Sequence, residues 1–403
     1  MSVETITLGC RLNFAESEAM KRIAGDSGGF LIVNSCAVTA EAVRQTRQAI
    51  RRARRDQPER PIIVTGCAAQ IDPASFAAMP EVDRVIGNLE KFLAESWLSN
   101  DKLLVGDIMT APAPPVAAGF RQRVRSFVAV QTGCDHRCTF CTIPMGRGPS
   151  RSLPAGAIIE AISREIDAGA REIVLTGVDI TSFAHENMGL GALCERLLSA
   201  EPRLHRLRLS SLDSVEIDEA LFALVAGEPR LLPHFHLSLQ AGDDMVLKRM
   251  KRRHSRAQAV ATVERLKAAR SDVTIGADLI AGFPTETDAM AANSLRLLDD
   301  CDVISAHIFP FSPRKDTPAA RMPQVAGPVI KARAARLREA AAERRARWLA
   351  SLVGNSLRVL IENHGKGHSD GFAPVRIDGA LRGDHGMARI IAQDADQLVG
   401  VWA

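Results

Sequence analysis

No apolar run in this 403-residue chain approaches the roughly 18 residues of a membrane span, and no secretory leader opens it. The expectation is therefore neither a membrane protein nor a secreted one. Eight cysteines without a leader point to the reducing cytoplasm, where thiols stay available as metal ligands instead of pairing as disulfides. Tyrosine is absent altogether, so Phe140, beside one of those cysteines, offers an apolar face without a hydroxyl. Net charge is only +4, too little for the whole chain to mark a polyanion ligand. The positive charge is nonetheless bunched: residues 44–60 hold seven arginines against Asp56 and Glu59, and Lys248 to Arg256 holds six Lys or Arg and no acid. One such run is ordinarily a solvated helix face, whereas several favour a polyanion. The length suits two to three domains.

Three cysteines stand in Gly133-Cys134-Asp135-His136-Arg137-Cys138-Thr139-Phe140-Cys141, a C-x3-C-x2-C spacing. Three thiolates can hold a four-iron cluster and leave one iron open to a substrate or cofactor, whereas clusters that only carry electrons usually take four cysteines. A zinc site on the same thiols plus His136, or three unrelated buried thiols, are the competing uses; zinc favours paired C-x2-4-C units. The loop resembles that of the radical S-adenosylmethionine (SAM) enzymes. The resemblance implies that the open iron chelates SAM and that an electron breaks a carbon–sulfur bond to give a 5′-deoxyadenosyl radical.

Upstream, Val3 to Leu8, Phe30 to Val33 and Pro61 to Val64 have the length and β-branched content of buried strands. Each runs within a few residues into a cysteine, Cys10, Cys36 or Cys67, and helical stretches follow from about Ala15, Thr39 and Asp72. In an open parallel sheet the carboxyl ends of the strands form the ligand crevice, so these thiols should converge. A single cysteine after a strand is usually packing; three in matching places indicate a second cluster with an open iron.

Gly9-Cys10-Arg11-Leu12-Asn13 with Glu16-Ser17-Glu18, then Asn34-Ser35-Cys36-Ala37-Val38-Thr39, then Gly66-Cys67-Ala68-Ala69-Gln70, and finally the cysteine loop, together resemble the methylthiotransferases, which insert a methylthio group into a carbon–hydrogen bond. The likeness runs through essentially the whole chain. It implies an α/β protein with two [4Fe-4S] clusters: a flavodoxin-like parallel α/β domain over residues 1–110 with an auxiliary cluster on Cys10, Cys36 and Cys67, and a radical-SAM core over 120–348 with the SAM cluster on Cys134, Cys138 and Cys141. Cys194 and Cys301 match neither triad and read as structural.

Strand-like segments near residues 127–131, 172–176, 204–210, 234–239, 273–280 and 303–309, separated mostly by helix-length stretches, make six β/α units. Six are too few for a full eight-unit barrel, so the expectation is a partial (β/α)6 barrel with a lateral opening. Gly177 and Asp179, after the second strand, are expected at the SAM amino group. Ser238, Gln240 and Asp278, at later strand ends, are expected to line the SAM pocket. In Gly282-Phe283-Pro284-Thr285-Glu286-Thr287, Thr285 replaces the glycine common in the family, a change expected to alter only turn flexibility.

Val329 to Leu349, after Pro328, reads as a long helix. Short runs at 357–361, 372–377, 388–391 and 397–402 then read as a small all-β barrel of OB type over 349–403. Gly365-Lys366-Gly367-His368-Ser369-Asp370-Gly371-Phe372 resembles the RNA-binding TRAM domain. Residues 351–403 hold five Lys or Arg against six Asp or Glu, so RNA contact would need a local face such as Arg358, Lys366 and Arg376.

Family substrates divide between tRNA adenosines beside the anticodon and one ribosomal protein. The phrases here most resemble the branch acting on N6-threonylcarbamoyladenosine, whose carboxylate would suit Lys248, Arg249, Lys251, Arg252 and Arg253; an isopentenyl group would need an apolar pocket. The resemblance implies that one SAM provides the methyl of the methylthio group and another the radical that activates adenine C2. It also implies tRNA and a flavodoxin- or ferredoxin-like electron donor as partners, and leaves the sulfur donor unknown. A non-catalytic iron–sulfur RNA-binding or redox-sensing protein is the alternative of another class.

Overall fold

The computed structural model describes residues 2–25, 29–119 and 124–403; the expected start of the core at residue 120 lies outside them. Five parallel strands, β1 (Glu4–Thr7), β2 (Leu31–Ser35), β3 (Ile62–Gly66), β4 (Arg84–Ile86) and β5 (Leu103–Leu104), open the chain in sequential order. The parallel α/β domain is as expected, without the reversal between first and second strands of the flavodoxin order 2-1-3-4-5. β2 and β3 are buried along their whole length. Their alternate side chains serve two cores, one under α2 (Ala40–Asp56) with Ile50, Ala53 and Phe76, the other under α1 (Arg11–Ala24) with Met20, Ala24 and Trp97. Thr39 caps α2 by accepting from Ala42 N. Short helices α3 (Cys67–Ile71), α4 (Pro73–Ala77) and α5 (Ala94–Leu98) complete the unit.

After β6 (Ala118–Gly119) come six parallel strands: β7 (Arg125–Ala129), β10 (Glu172–Thr176), β11 (Leu207–Leu209), β12 (His234–Gln240), β13 (Thr274–Ala281) and β14 (Val303–Pro310). They form two sheets, β11-β10-β7-β6 and β12-β13-β14. Among the described residues the seam is spanned by the isolated bridges Leu207↔Leu231 and Leu212↔Leu237, which join the two sheets of the partial six-unit barrel. A hairpin of β8 (Gln131–Thr132) and β9 (Arg151–Ser152) clasps the base of the cysteine loop, whose far side is α6 (Ile143–Arg147). Helices α7 (Ala155–Asp167), α8 (Leu190–Ala200), α9 (Glu219–Gly227), α10 (Asp244–Met250), α11 (Arg256–Ala269) and α12 (Asp288–Asp300) alternate with the strands. Cys194 and Cys301 are fully buried in this core.

α13 (Gly327–Ser351) begins with Pro328 in its first turn, where the missing N–H is not needed. It lies against β14 and α12, with Arg338 donating to Ile308 O at 3.0 Å and Arg344 pairing with Asp299 and Asp302. The chain then closes a five-stranded barrel, β15 (Ser356–Asn363), β16 (Lys366–Ser369), β17 (Pro374–Arg376), β18 (His385–Asp394) and β19 (Gln397–Trp402), in the order β15-β16-β17-β19-β18.

This small barrel docks on the amino-terminal ends of the core strands. Glu172 takes Arg206 at 3.0 Å and Arg208 at 2.7 Å, Arg206 also reaches Asp370, and Arg125 reaches Glu362 at 2.6 Å. Two expectations change here. Phe372 is not a strand residue; at φ 71° it turns its ring inward between His234 and His368. Arg358, although exposed, and the half-buried Arg376 are engaged by Asp370 and Asp378; Lys366 of the expected RNA face is exposed.

Candidate active site between two cysteine triads

β1, β2 and β3 are neighbours in register, with Thr7 opposite Asn34, and Asn34 and Ser35 opposite Thr65 and Gly66. Their carboxyl ends therefore deliver Cys10, Cys36 and Cys67 side by side. Cys10 caps α1 and Cys67 opens α3. Gly9, at φ 95°, lets the turns interlock: a Cβ there would lie 2.7 Å from Cys36 Cβ and 2.8 Å from its Sγ. Cys10 is open to the surface, yet desolvation by the groups packed around it raises its thiol; burial brings Cys36 to about 11, and the neighbouring Cys67 adds to both shifts.

The second triad sits beyond β7, at the carboxyl end of the barrel. Burial carries Cys134 and Cys141 to about 12. Cys138 is half-buried; its partial desolvation is outweighed by His136 and Arg252, which lower it. Ile143 N lies 3.4 Å from Cys141 Sγ and Arg252 Nη1 3.6 Å from Cys138 Sγ. Gly146 of α6 packs on Cys67, where a Cβ would lie 3.2 Å from Cys67 Cβ, so the first triad lies against the helix that follows the second. Between them Arg147 donates Nε to Cys67 Sγ at 3.1 Å.

The donor sets fit clusters: three thiols per group, with N–H donors beside sulfur in each, Arg147 Nε at Cys67 in one and Ile143 N and Arg252 Nη1 at Cys141 and Cys138 in the other, the kind of hydrogen bond that tunes thiolate-ligated iron. The zinc alternative fits less well. Cys134, His136 and Asp179 do approach one another, but that group takes in only one thiol of the triad, and His136 Nε2 is already engaged by Glu216 at 3.2 Å.

The radical SAM superfamily matches residues 128–298, and the uncharacterized protein family UPF0004 matches residues 2–87. The threonylcarbamoyladenosine tRNA methylthiotransferase MtaB of Rickettsia prowazekii is 44% identical over 383 residues, 93% of this chain and 91% of that protein. This chain belongs to the tRNA methylthiotransferase family. It is a radical-SAM transferase, with SAM and iron–sulfur clusters as cofactors. MtaB of Thermotoga maritima is 34% identical over 90% of this chain and 86% of its own. The tRNA-2-methylthio-N6-dimethylallyladenosine synthase of Maricaulis maris is 32% identical over 98% and 95%. In fold, the radical-SAM methyltransferase TsrM of Kitasatospora setae, solved with cobalamin and a [4Fe-4S] cluster, superposes with a TM-score of 0.56 at 16% identity, over 79% of this chain and 74% of that one.

Within this methylthiotransferase the expected SAM residues separate into two groups. Gly177 is wedged against the cysteine hairpin, where a Cβ would lie 2.8 Å from Gln131 O, and Gln131 Oε1 accepts from Val178 N and Asp179 N. Asp179 lies 3.9 Å from Cys134 Sγ and accepts from Thr181 and Ser182 at 2.9 and 2.7 Å. Ser238 and Gln240 are half-buried at alternate positions of β12, opposite the face that packs under the helices. Asp278, on β13 beside that stretch of β12, has its carboxylate engaged by His236 at 2.8 Å and His307 at 3.0 Å, a cluster across β12, β13 and β14.

The run from Lys248 to Arg256 does not form one substrate face. Arg252 turns inward to Asp213 at 2.7 Å and Ser238 O at 3.0 Å. Arg249 reaches Thr285 O at 3.3 Å, and Arg253 and Arg256 pair with Glu216 and Asp300. Lys248 and Lys251 are exposed. The reason is helical geometry: α10 ends at Met250 with Lys251 in the left-handed conformation, which scatters a sequence-contiguous run over several directions. Sequence reasoning missed Arg147, Lys91 and the two histidines around Asp278; alternating His234 and His236 on a strand was the one available signal.

Proposed function

We propose that this methylthiotransferase acts on N6-threonylcarbamoyladenosine beside the anticodon of tRNA and places the methylthio group at C2. The observation that carries the reading is the 44% identity to the Rickettsia MtaB across 93% of the chain. The two triads support the chemistry. In this reading Cys134, Cys138 and Cys141 hold one [4Fe-4S] cluster, and Cys10, Cys36 and Cys67 the other. When bound, SAM supplies the methyl and the radical, and the clusters pass the electron and carry the sulfur to be transferred; the chain holds both sulfur-rich sites at the carboxyl ends of adjoining sheets. Asp179, Gly177, Ser238 and Gln240 shape the SAM side. Of the basic run, Lys248 and Lys251 remain for the threonyl carboxylate. Residues 1–110 provide the auxiliary site, 120–348 the radical core and 349–403 an RNA-binding module, with a flavodoxin- or ferredoxin-like donor of electrons. No helix among the described residues is long and apolar enough to cross a membrane.

The test is to offer purified enzyme tRNA bearing threonylcarbamoyladenosine, isopentenyladenosine or plain adenosine and to weigh the nucleosides. Methylthiolation chiefly of the first is expected. Preference for the isopentenyl substrate would overturn the substrate reading and leave the family standing.

A further inference from the structure

Arg147 is buried, and so are Glu16 and Lys91. Arg147 gives Nη1 to Glu16 Oε1 at 2.6 Å and Nη2 to Glu16 Oε2 at 2.9 Å, a two-point pair, while Lys91 Nζ bonds the same Glu16 Oε2 at 2.7 Å. The remaining partners are neutral: Asn13 Oδ1 accepts from Arg147 at 2.6 Å and Asn88 Oδ1 from Lys91 at 2.7 Å. Two cations thus share one anion in a site closed to water, and a net buried charge is costly unless something matches it. The nearest compensating group is the first triad. Arg147 Nε points at Cys67 Sγ at 3.1 Å.

A doubly positive four-iron core on three thiolates carries one net negative charge, equal and opposite to the excess of the Arg147–Glu16–Lys91 group. We infer that Arg147, with Lys91 behind it, is a positioning residue that sets the reduction potential of the auxiliary cluster, and that this charge is delivered from the SAM side. Arg147 ends α6, the helix that follows Cys141, and Asn88 Nδ2 ties the preceding Gly146 O to the N-terminal domain at 2.5 Å. The cation therefore belongs to the cysteine loop of one cluster and acts on the other. A neighbouring positive charge favours the more reduced, more negative state, so it holds the potential up. This inference rests on the reading that Cys10, Cys36 and Cys67 hold a cluster.

The experiment uses the full chain carrying C134A, C138A and C141A, reconstituted so that only the auxiliary cluster is present, with its potential followed by paramagnetic resonance during redox titration. R147Q and K91M should both lower the midpoint, although Lys91 does not touch sulfur, and E16Q should raise it. R147K should fall between the parent and R147Q. A purely structural role for Arg147 would leave the midpoint where it is, or move all variants alike; either result overturns the inference and spares the cluster assignment. Should E16Q not fold, a K91M midpoint equal to the parent's is sufficient to overturn it. A parent triple variant that binds no iron removes the cluster assignment and this inference together.

Discussion

Phe372 of the C-terminal barrel stacks on His234 of the radical-SAM core, ring centroids 5.0 Å apart and planes 18° from parallel. Arg208 lies over the same ring at 4.8 Å, and His368 stacks on it at 4.5 Å. With the Arg206–Asp370 and Arg125–Glu362 pairs, this ring fixes the module across the amino-terminal ends of the barrel strands, opposite the cysteine triads. Replacing Phe372 by Ala should cost about 2–4 kcal/mol and loosen the module first. Hydrogen exchange should rise in β15 to β19 before it rises in the core; a uniform rise would show that the ring does not join the two.

Thr285 occupies the left-handed region at φ 66°. The turn has kept the conformation a glycine would allow while carrying a β-branched side chain, so the substitution costs strain beyond the altered flexibility expected from sequence. Thr285→Gly should stabilise the protein by about 1 kcal/mol, relief of strain exceeding the added chain entropy. Denaturant unfolding measures this, and Thr285→Ala, which keeps a Cβ, should recover much less.

Reconstituted protein should bind roughly eight irons on the two triads. Replacing Cys134, Cys138 and Cys141 by Ala should remove about half the iron and all SAM cleavage. Replacing Cys10, Cys36 and Cys67 should remove the other half and abolish methylthiolation while SAM is still cleaved to deoxyadenosine. Cys194 and Cys301, buried among aliphatic side chains, should be replaceable without iron loss.

Burial alone would raise the Glu16 carboxyl; Arg147 and Lys91 outweigh it and bring it down to about 2 from 4.5. A depressed carboxylate contributes stability that is present above its unfolded value and lost as pH falls through the folded one. That contribution, on the order of 3 kcal/mol, should therefore disappear between about pH 4.5 and pH 2. Glu16→Gln should lower stability at neutral pH, because two buried cations lose their anion, and should flatten the acid limb. An acid limb unchanged in Glu16→Gln would place the proton uptake elsewhere.

The arginines of α2 divide by partner. Arg54 is structural, donating to Pro58 O at 2.7 Å, Arg60 O at 3.0 Å and Glu81 O, and pairing with Asp83. Arg52 and Arg55 are exposed. If the helix tracks tRNA phosphates, Arg52→Ala and Arg55→Ala should each shrink the slope of log affinity against log salt by about one without changing stability, whereas Arg54→Ala should lower the melting temperature. An unchanged slope returns α2 to an ordinary solvated face.

The sequence by itself determined the chemistry, because its signals are local or repeated: a C-x3-C-x2-C loop, and three strands each running into a cysteine. It also determined the element types, since period-two and helical patterns mark strands and helices wherever burial is one-sided. It did not reveal which charges meet. Arg252 and Arg253 are neighbours in the chain, yet one turns to Asp213 and the other to Glu216. Glu16 and Arg147 are 131 residues apart and share two hydrogen bonds in a closed interior. Contiguity hides the first difference and distance hides the second, because a side chain's partner is set by where folding brings its backbone. Tertiary structure alone decided that Asp278 serves two histidines, that Phe372 packs the small barrel onto the core, and that a loop holding one triad reaches across to touch the other.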